Sequence, residues 1–477
     1  MRCLRFGLVL AATLGFTACE ESSEEGGGET DGSSSSSSAD TGTTNPTTGP
    51  STTGPSDCIA GQETCACLEG NCLGTLECVH DVCVPGPEFD VPDEPIRVIA
   101  GPRVPLNTEI LADSFSWAQT GGPEANVTGL DTQTPLVDVP ADAAAGDTLR
   151  FTLTAVRNEV ERTADVTIEV VAARFEEGLP TIDDPEQLGT PHSVQFRGGE
   201  LWATMEEGFV SWFDIGYDDE LMQEVAVHIG RNDIPGAPYG SRMGQVPERD
   251  DDVDVLLLAN AGNQALESMQ INGGAIETLS DVTVDGDPLG PVRHLVRIDG
   301  EIYMTNGEGG QLLVWDPMPP EPDPETGGEE PIPGGTRVLL SDLVMPGAMT
   351  EGPEDGYFFV GVAGQVLRIP ILDGGVIGEP FVYLDFGDTA DPAMTVDGLV
   401  FDRANNLYVG VGGGDRLILA RYNGGDALEV TRNMGITATD YSDFQGMRFG
   451  DGDFGGATLY YGNASGRVGR VFVGLGD

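Results

Sequence analysis

Apolar and polar residues alternate in short bursts along most of this chain, and after Ala172 the bursts repeat. The same hairpin pattern returns at Gly199-Glu200-Leu201-Trp202-Ala203, Gly300-Glu301-Ile302-Tyr303-Met304, Asp355-Gly356-Tyr357-Phe358-Phe359, Asn405-Asn406-Leu407-Tyr408-Val409 and Ala457-Thr458-Leu459-Tyr460-Tyr461. A weaker copy lies at Asp254-Val255-Leu256-Leu257-Leu258. Each is a turn signal followed by residues that favour strands. With Trp202, Leu257, Tyr303, Phe358, Tyr408 and Tyr460 as equivalent positions, the intervals are 55, 46, 55, 50 and 52 residues. A propeller blade repeats at about 40–50 residues, so the spacing predicts six blades over residues 173–477.

Each unit opens with an inner strand, such as Gly398-Leu399-Val400-Phe401-Asp402 or Gly446-Met447-Arg448-Phe449. It turns into the aromatic second strand and continues into a third, such as Arg416-Leu417-Ile418-Leu419-Ala420. The last unit stops at its third strand, Arg470-Val471-Phe472-Val473. The stretch from Ala173 to Gly178 is expected to add the missing fourth strand, which would remove an open sheet edge. Residues Pro317 to Gly335, rich in Pro, Glu and Gly, read as an insertion between strands of the third unit.

Upstream, residues 88–172 alternate in the manner of a β-sandwich, as in Leu149-Arg150-Phe151-Thr152-Leu153-Thr154 and Ala164-Asp165-Val166-Thr167-Ile168-Glu169-Val170. Trp117, Gln119, Gly122 and Pro123 form a W-x-Q stretch with a nearby G-P. With the strands that follow, it resembles PKD-type immunoglobulin-like domains, which implies a sandwich acting as spacer or adhesion module. Trp117 is its expected central residue. The predicted fold is mostly β: a C-terminal six-bladed β-propeller, preceded by an immunoglobulin-like β-sandwich and a small disulfide-rich module.

That module, residues 57–87, holds Cys58, Cys65, Cys67, Cys72, Cys78 and Cys83. Six cysteines so close together imply three disulfides in a segment too short to own a core, with 15 possible connectivities. A zinc site is the alternative, but the spacing lacks paired C-x₂-C motifs and only His80 is nearby. Before it, residues 20–56 are acidic, then Ser-, Thr-, Gly- and Pro-rich, and read as a solvated tether. Residues 1–19 carry Arg2 and Arg5 ahead of an apolar stretch too short to span a membrane. The ending Phe16-Thr17-Ala18-Cys19 resembles the lipobox of bacterial lipoproteins, with Phe16 where leucine is usual. The resemblance implies acylation of Cys19, anchoring in the cell envelope, and a disulfide-permissive compartment. Glu20 and Glu21 differ from the inner-membrane retention aspartate, which makes the outer membrane, facing either side, the expected location.

The formal net charge is −56, from 79 acidic residues against 23 basic ones that are all arginine. Such a field repels phosphate backbones, which excludes nucleic acid as a partner. Without lysine there is neither a P-loop nor a Schiff base. No Ser-His-Asp, H-E-x-x-H or complete calcium-loop signature is present. The acidic runs Glu248-Arg249-Asp250-Asp251-Asp252 and Asp451-Gly452-Asp453 read as solvated turns.

The stretch Asp397 to Val411, DGLVFDRANNLYVGV, resembles the blade motif of the gluconolactonase/senescence-marker-protein family and related NHL-like propellers. In that family a divalent metal sits at the channel mouth. The resemblance makes Asp397 a candidate ligand, while His192 stands where the family has glutamate and His294 where it has an amide. Aligned by their hairpins, the units bring His192, Arg242, His294, Ala348, Asp397 and Gln445 to the mouth, with Glu206, Asn260, Asn306 and Asn463 nearby. Two imidazoles and a carboxylate can hold one divalent ion, calcium or zinc, and activate water. The bland alternative is a set of polar residues that hydrate a channel. Two functions are therefore expected in competition: a monomeric binding module for a glycan, peptide or protein ligand, and a metal-dependent gluconolactonase-like hydrolase or lyase.

Overall fold

Six four-stranded antiparallel sheets follow one another from Pro191 to Phe472 in the computed structural model, the fourth carrying one extra strand. The structure describes residues 62–177, 188–218, 223–245, 254–271, 274–316, 335–372, 376–387, 394–412, 416–422, 428–431, 444–463 and 466–475. The lipobox with Cys19, the tether, Cys58 and most of the Pro/Glu/Gly insertion lie outside these residues.

The inner strands of the six sheets are Pro191–Arg197, Pro238–Gln245, Val292–Ile298, Met349–Glu351, Val396–Phe401 and Gln445–Phe449. Each packs on the next, and Gln445–Phe449 packs back on Pro191–Arg197. This is the arrangement of a β-propeller. The expected closure is present: Phe175–Glu177 pairs antiparallel with Arg467–Phe472, so the last sheet takes its outer strand from ahead of the first.

The repeat exists because each sheet has two apolar faces to bury. Trp202, Leu257, Tyr303, Phe358, Tyr408 and Tyr460 are all 2% exposed or less. Trp202 packs on Leu256 and Leu258 of the second sheet, and Tyr460 of the last sheet packs on Val194 and Leu201 of the first. Each such side chain contributes about 2–3 kcal/mol of transfer free energy. Buried polar tips find partners nearby: Tyr303 Oη donates to Glu301 (2.6 Å), Trp202 Nε1 to Glu200 (3.1 Å) and Tyr408 Oη to Asp402 (3.2 Å).

Ahead of the propeller, a four-stranded sheet (Ile96–Val98, Val160–Val170, Thr148–Arg157, Ser114–Gly121) and a three-stranded one (Arg103–Pro105, Leu136–Asp138, Asn126–Thr128) share a core. Trp117 lies in it, 3% exposed. Gln119 explains the W-x-Q stretch: its Oε1 accepts from Ala125 N–H (3.1 Å) and its Nε2 donates to the Pro123 carbonyl (2.5 Å), fixing the turn.

The segment is joined to the propeller by contacts that the sequence reading did not anticipate. Ala404 and Leu475 of the propeller complete the same core. Arg421 reaches from the fifth sheet to the carbonyls of Gly101 (2.7 Å) and Val139 (2.5 Å), and Asn406 bonds both the N–H and the carbonyl of Arg103. Asp138 is gripped between Arg103 (2.8 Å) and Arg421 (3.6 Å). Alternation shows which faces are apolar but carries no trace of this docking.

In the cysteine module, disulfides join Cys67 to Cys78 and Cys72 to Cys83. Cys65 is also disulfide-bonded. With their sulfurs in disulfides these cysteines are not zinc ligands.

Candidate functional site

Five of the six inner strands break register near their first residues. The shift falls across His192 in the first sheet, Tyr239 in the second, Arg293 in the third and Asp397 in the fifth, and follows Gln445 in the sixth. A β-bulge leaves one residue unpaired and re-aims its side chain. His192, Tyr239, Arg293, Asp397 and Gln445, with His294, line one cavity of about 40 Å³. That volume admits two or three waters, or one small functional group, and no whole sugar ring.

The bulges need close backbone approach, and glycine provides it. A Cβ on Gly240 would stand 2.3 Å from the Arg293 carbonyl oxygen, and one on Gly446, at φ +53°, 2.5 Å from Ser193 Cα. Gly446 lies where the sixth sheet meets the first, so its missing side chain lets the inner strands come together there.

His192 is buried, and its ring stacks on Tyr239 at 3.9 Å between centroids. Arg293 continues the row, its guanidinium carbon 5.4 Å from the Tyr239 ring centre. His192 Nδ1–H donates to Gln445 Oε1 (2.5 Å), which leaves Nε2 as an acceptor. Nε2 has no hydrogen-bond partner; Glu206, 55% exposed at the rim, comes within 3.9 Å of it. Burial is the largest influence on His192 and holds its pKa below the ordinary value, although Gln445 and Glu206 oppose it. His294 sits deeper, enclosed by protein while keeping some surface open to the channel. Burial, then Arg293 and Arg448, push its pKa down to about 3. Both rings are therefore neutral near pH 7. Asp397 accepts from Thr395 Oγ1 (3.3 Å).

Below, the channel narrows to a void of about 10 Å³, one water at most, among Ser193, Ser241, His294, Met349, Leu399, Met447 and Arg448. Ser241 Oγ donates to Ser193 Oγ (3.0 Å) across two sheets. The cavity is thus a cup with a narrow floor.

His192, His294, Asp397 and Gln445 come together as expected, and other expected mouth residues do not. Arg242 lies one residue beyond Ser241 of the floor and pairs with Glu351 (2.9 Å) of the fourth inner strand. It stands three residues past Tyr239: Arg242 pairs with Leu257 as Gln195 pairs with Trp202, so Tyr239 and not Arg242 takes the place of His192. Ala348 lies in the floor layer. Asn260 and Asn306 are buried clasps. Asn260 accepts from Ala237 N–H and donates to Pro235 O and Glu267, and Asn306 makes the corresponding bonds to Gly309, Leu289 and Gln311. Asn463 is buried at the equivalent point of the sixth sheet. Tyr239 and Arg293 escaped the sequence reading. The only signal for them was an aromatic or charged residue directly ahead of the Gly240 and His294 positions.

The implied divalent metal fits this donor set poorly. Among the described residues no three His, Asp or Glu donor atoms lie within 4.8 Å of one another; the one gathered trio is the disulfide cysteines Cys67, Cys72 and Cys83. Arg293 also lines the cavity. A dication about 5 Å from a guanidinium is opposed by about 7 kcal/mol at an effective dielectric near 20.

No family model and no curated protein matches the chain. Among solved structures it is similar to a protein assigned as a gluconolactonase, at 14% identity over 64% of this chain and 93% of the other, TM-score 0.43. It is also similar to a luciferin-regenerating enzyme (12%, 64% and 97%, TM-score 0.43). A third is an auxiliary nutrient binding protein from Bacteroides thetaiotaomicron (15%, 80% and 96%, TM-score 0.40).

Proposed function

We propose that this chain is an extracytoplasmic lipoprotein whose six-bladed propeller, backed by an immunoglobulin-like PKD-type sandwich, binds a glycan, peptide or protein ligand at the His192–Asp397 cup. One observation carries the reading: bulges in the first, second, third and fifth inner strands turn His192, Tyr239, Arg293 and Asp397 toward one cavity. A propeller that merely hydrated its channel would need no such repeated departure from ladder pairing. The cup takes the tip of a ligand, and the rest lies over the rim.

The sandwich leaves the cup uncovered. It docks on Ala404, Asn406 and Arg421, at the far ends of strands whose near end carries Asp397. No helix among the described residues is long and apolar enough to cross a membrane, and the anchor rests on the lipobox resemblance alone.

The test is a glycan and peptide array probed with the full chain bearing Cys19→Ser. Ligands retained by this protein are expected to be lost on Asp397→Ala and on Tyr239→Ala. Retention by both variants would refute the cup as the binding site. The second reading, a metal-dependent gluconolactonase-like hydrolase using His192, His294 and Asp397 with calcium or zinc, has the Asp397-Gly398 motif in its favour. Stoichiometric metal that disappears in His294→Ala, together with lactone hydrolysis, would establish it instead.

A further inference from the structure

Arg293 forms no ion pair among the described residues, and its Nε is buried without a hydrogen-bond partner. It is held against Tyr239, in a cup lined by one other charged side chain, Asp397, with Glu206 at the rim 3.9 Å from His192 Nε2. Arg448 adds a second guanidinium at the floor, where its Nη1 donates to the Met447 carbonyl (2.8 Å). Beside Arg293, His192 presents Nε2 as a buried acceptor with nothing to accept from. A guanidinium fork matches a carboxylate, and a neutral imidazole acceptor matches a hydroxyl or ammonium hydrogen. Both groups face one small volume, so the two requirements fall on neighbouring atoms of one ligand.

We propose that the cup recognises a carboxylate flanked by a hydrogen-bond donor: Arg293 pairs with the carboxylate, and His192 Nε2 accepts from the adjacent hydroxyl or ammonium. The inference rests on the binding function proposed above and adds the chemical class of the ligand tip. Asp397, across the cup, accepts a second donor from the same ligand and disfavours ligands with two carboxylates close together.

Titration calorimetry on the full chain with Cys19→Ser tests this with glycolate, acetate and glycolamide as probes. Glycolate carries both groups, acetate lacks the donor, and glycolamide lacks the charge. Glycolate is expected to bind at least tenfold more tightly than glycolamide and more tightly than acetate. Arg293→Gln should weaken glycolate at least tenfold, and His192→Phe, which keeps a ring on Tyr239, should reduce glycolate to the level of acetate. Circular dichroism and an unchanged unfolding midpoint confirm that each variant is folded. Glycolamide binding as well as glycolate, an unaffected Arg293→Gln, or no glycolate binding at tens of millimolar would overturn the proposal. If an array ligand is lost on Asp397→Ala yet retained by Arg293→Gln, the cup binds but its carboxylate chemistry is wrong.

Discussion

Replacing Asp138 by alanine should cost far more than removal of a surface charge, because it strands two arginines at a buried seam. The Asp138 side chain is 9% exposed, Arg421 10% and Arg103 18%. Asp138 Oδ1 accepts from Arg103 Nε at 2.8 Å and Oδ2 from Asn126 Nδ2 at 3.0 Å. In Asp138→Ala the Arg421 guanidinium keeps its bonds to two carbonyls but loses its countercharge. Breaking a buried pair from one side costs about 3–5 kcal/mol, whereas an exposed pair is worth about 1 kcal/mol or less. Urea unfolding followed by tryptophan emission measures the difference, with Trp117 reporting from the sandwich core and Trp202 from the propeller. The variant should separate the transitions of sandwich and propeller, and the double variant with Arg421→Met should recover part of the loss. Acid offers an independent check. Burial raises the Asp138 pKa, but the Arg103 hydrogen bond and the Arg421 charge outweigh it and the net shift is downward from 3.8. Its stabilisation is therefore complete above the ordinary carboxylate value and is lost as pH falls through the lowered one. A loss below about 1 kcal/mol, or strict additivity with Arg421→Met, would refute the lock.

Asp402 should behave in the opposite sense. Burial pushes its pKa up from 3.8 to about 6, against bonds from Asn406, Ala404 and Tyr408. Its contribution is present at low pH and lost as pH rises through 6, about 3 kcal/mol in all. Urea midpoints between pH 4 and 7 should show that decline in the native chain and not in Asp402→Asn, and equal slopes would contradict it. Gly446→Ala should destabilise by about 3 kcal/mol, from its positive φ and the contact with Ser193 Cα. Gly199→Ala, at φ +85° with nothing within 4 Å, should cost only about 1 kcal/mol; equal midpoints for the two would deny that crowding matters at the first-to-sixth junction. A chain beginning at residue 188 lacks both Phe175–Glu177 and the docked sandwich, and leaves open the edge of Arg467–Phe472 and the face around Ala404 and Arg421. Sedimentation should show self-association, and a monomer as stable as the parent would show that this strand is dispensable.

Much of the architecture was legible because burial imposes a period. Each sheet must hide two faces, so an aromatic or leucine returns at Trp202, Leu257, Tyr303, Phe358, Tyr408 and Tyr460, and all six are buried. The unfinished last unit likewise announced a strand from upstream, and Phe175–Glu177 supplies it. Cysteine density in the 57–87 segment pointed to disulfides by the same kind of local necessity.

The cup was only half legible. Strand side chains alternate with a period of two, so one bulge exchanges the residue that faces the channel for its neighbour. Hairpin alignment led to His192 and Asp397, took His294 where its neighbour Arg293 stands at the bulge, and fell three residues past Tyr239 at Arg242. Asn260 and Asn306 looked like site residues because they are polar and recur, yet their amides tie loops together. The docking of the sandwich was not legible at all, since Arg421 and Asp138 lie 283 positions apart and either alone reads as an ordinary surface charge. Local sequence determined which faces had to be buried and how often. Tertiary packing decided which side chains met, because bulges and long-range pairs depend on neighbours that no single segment contains.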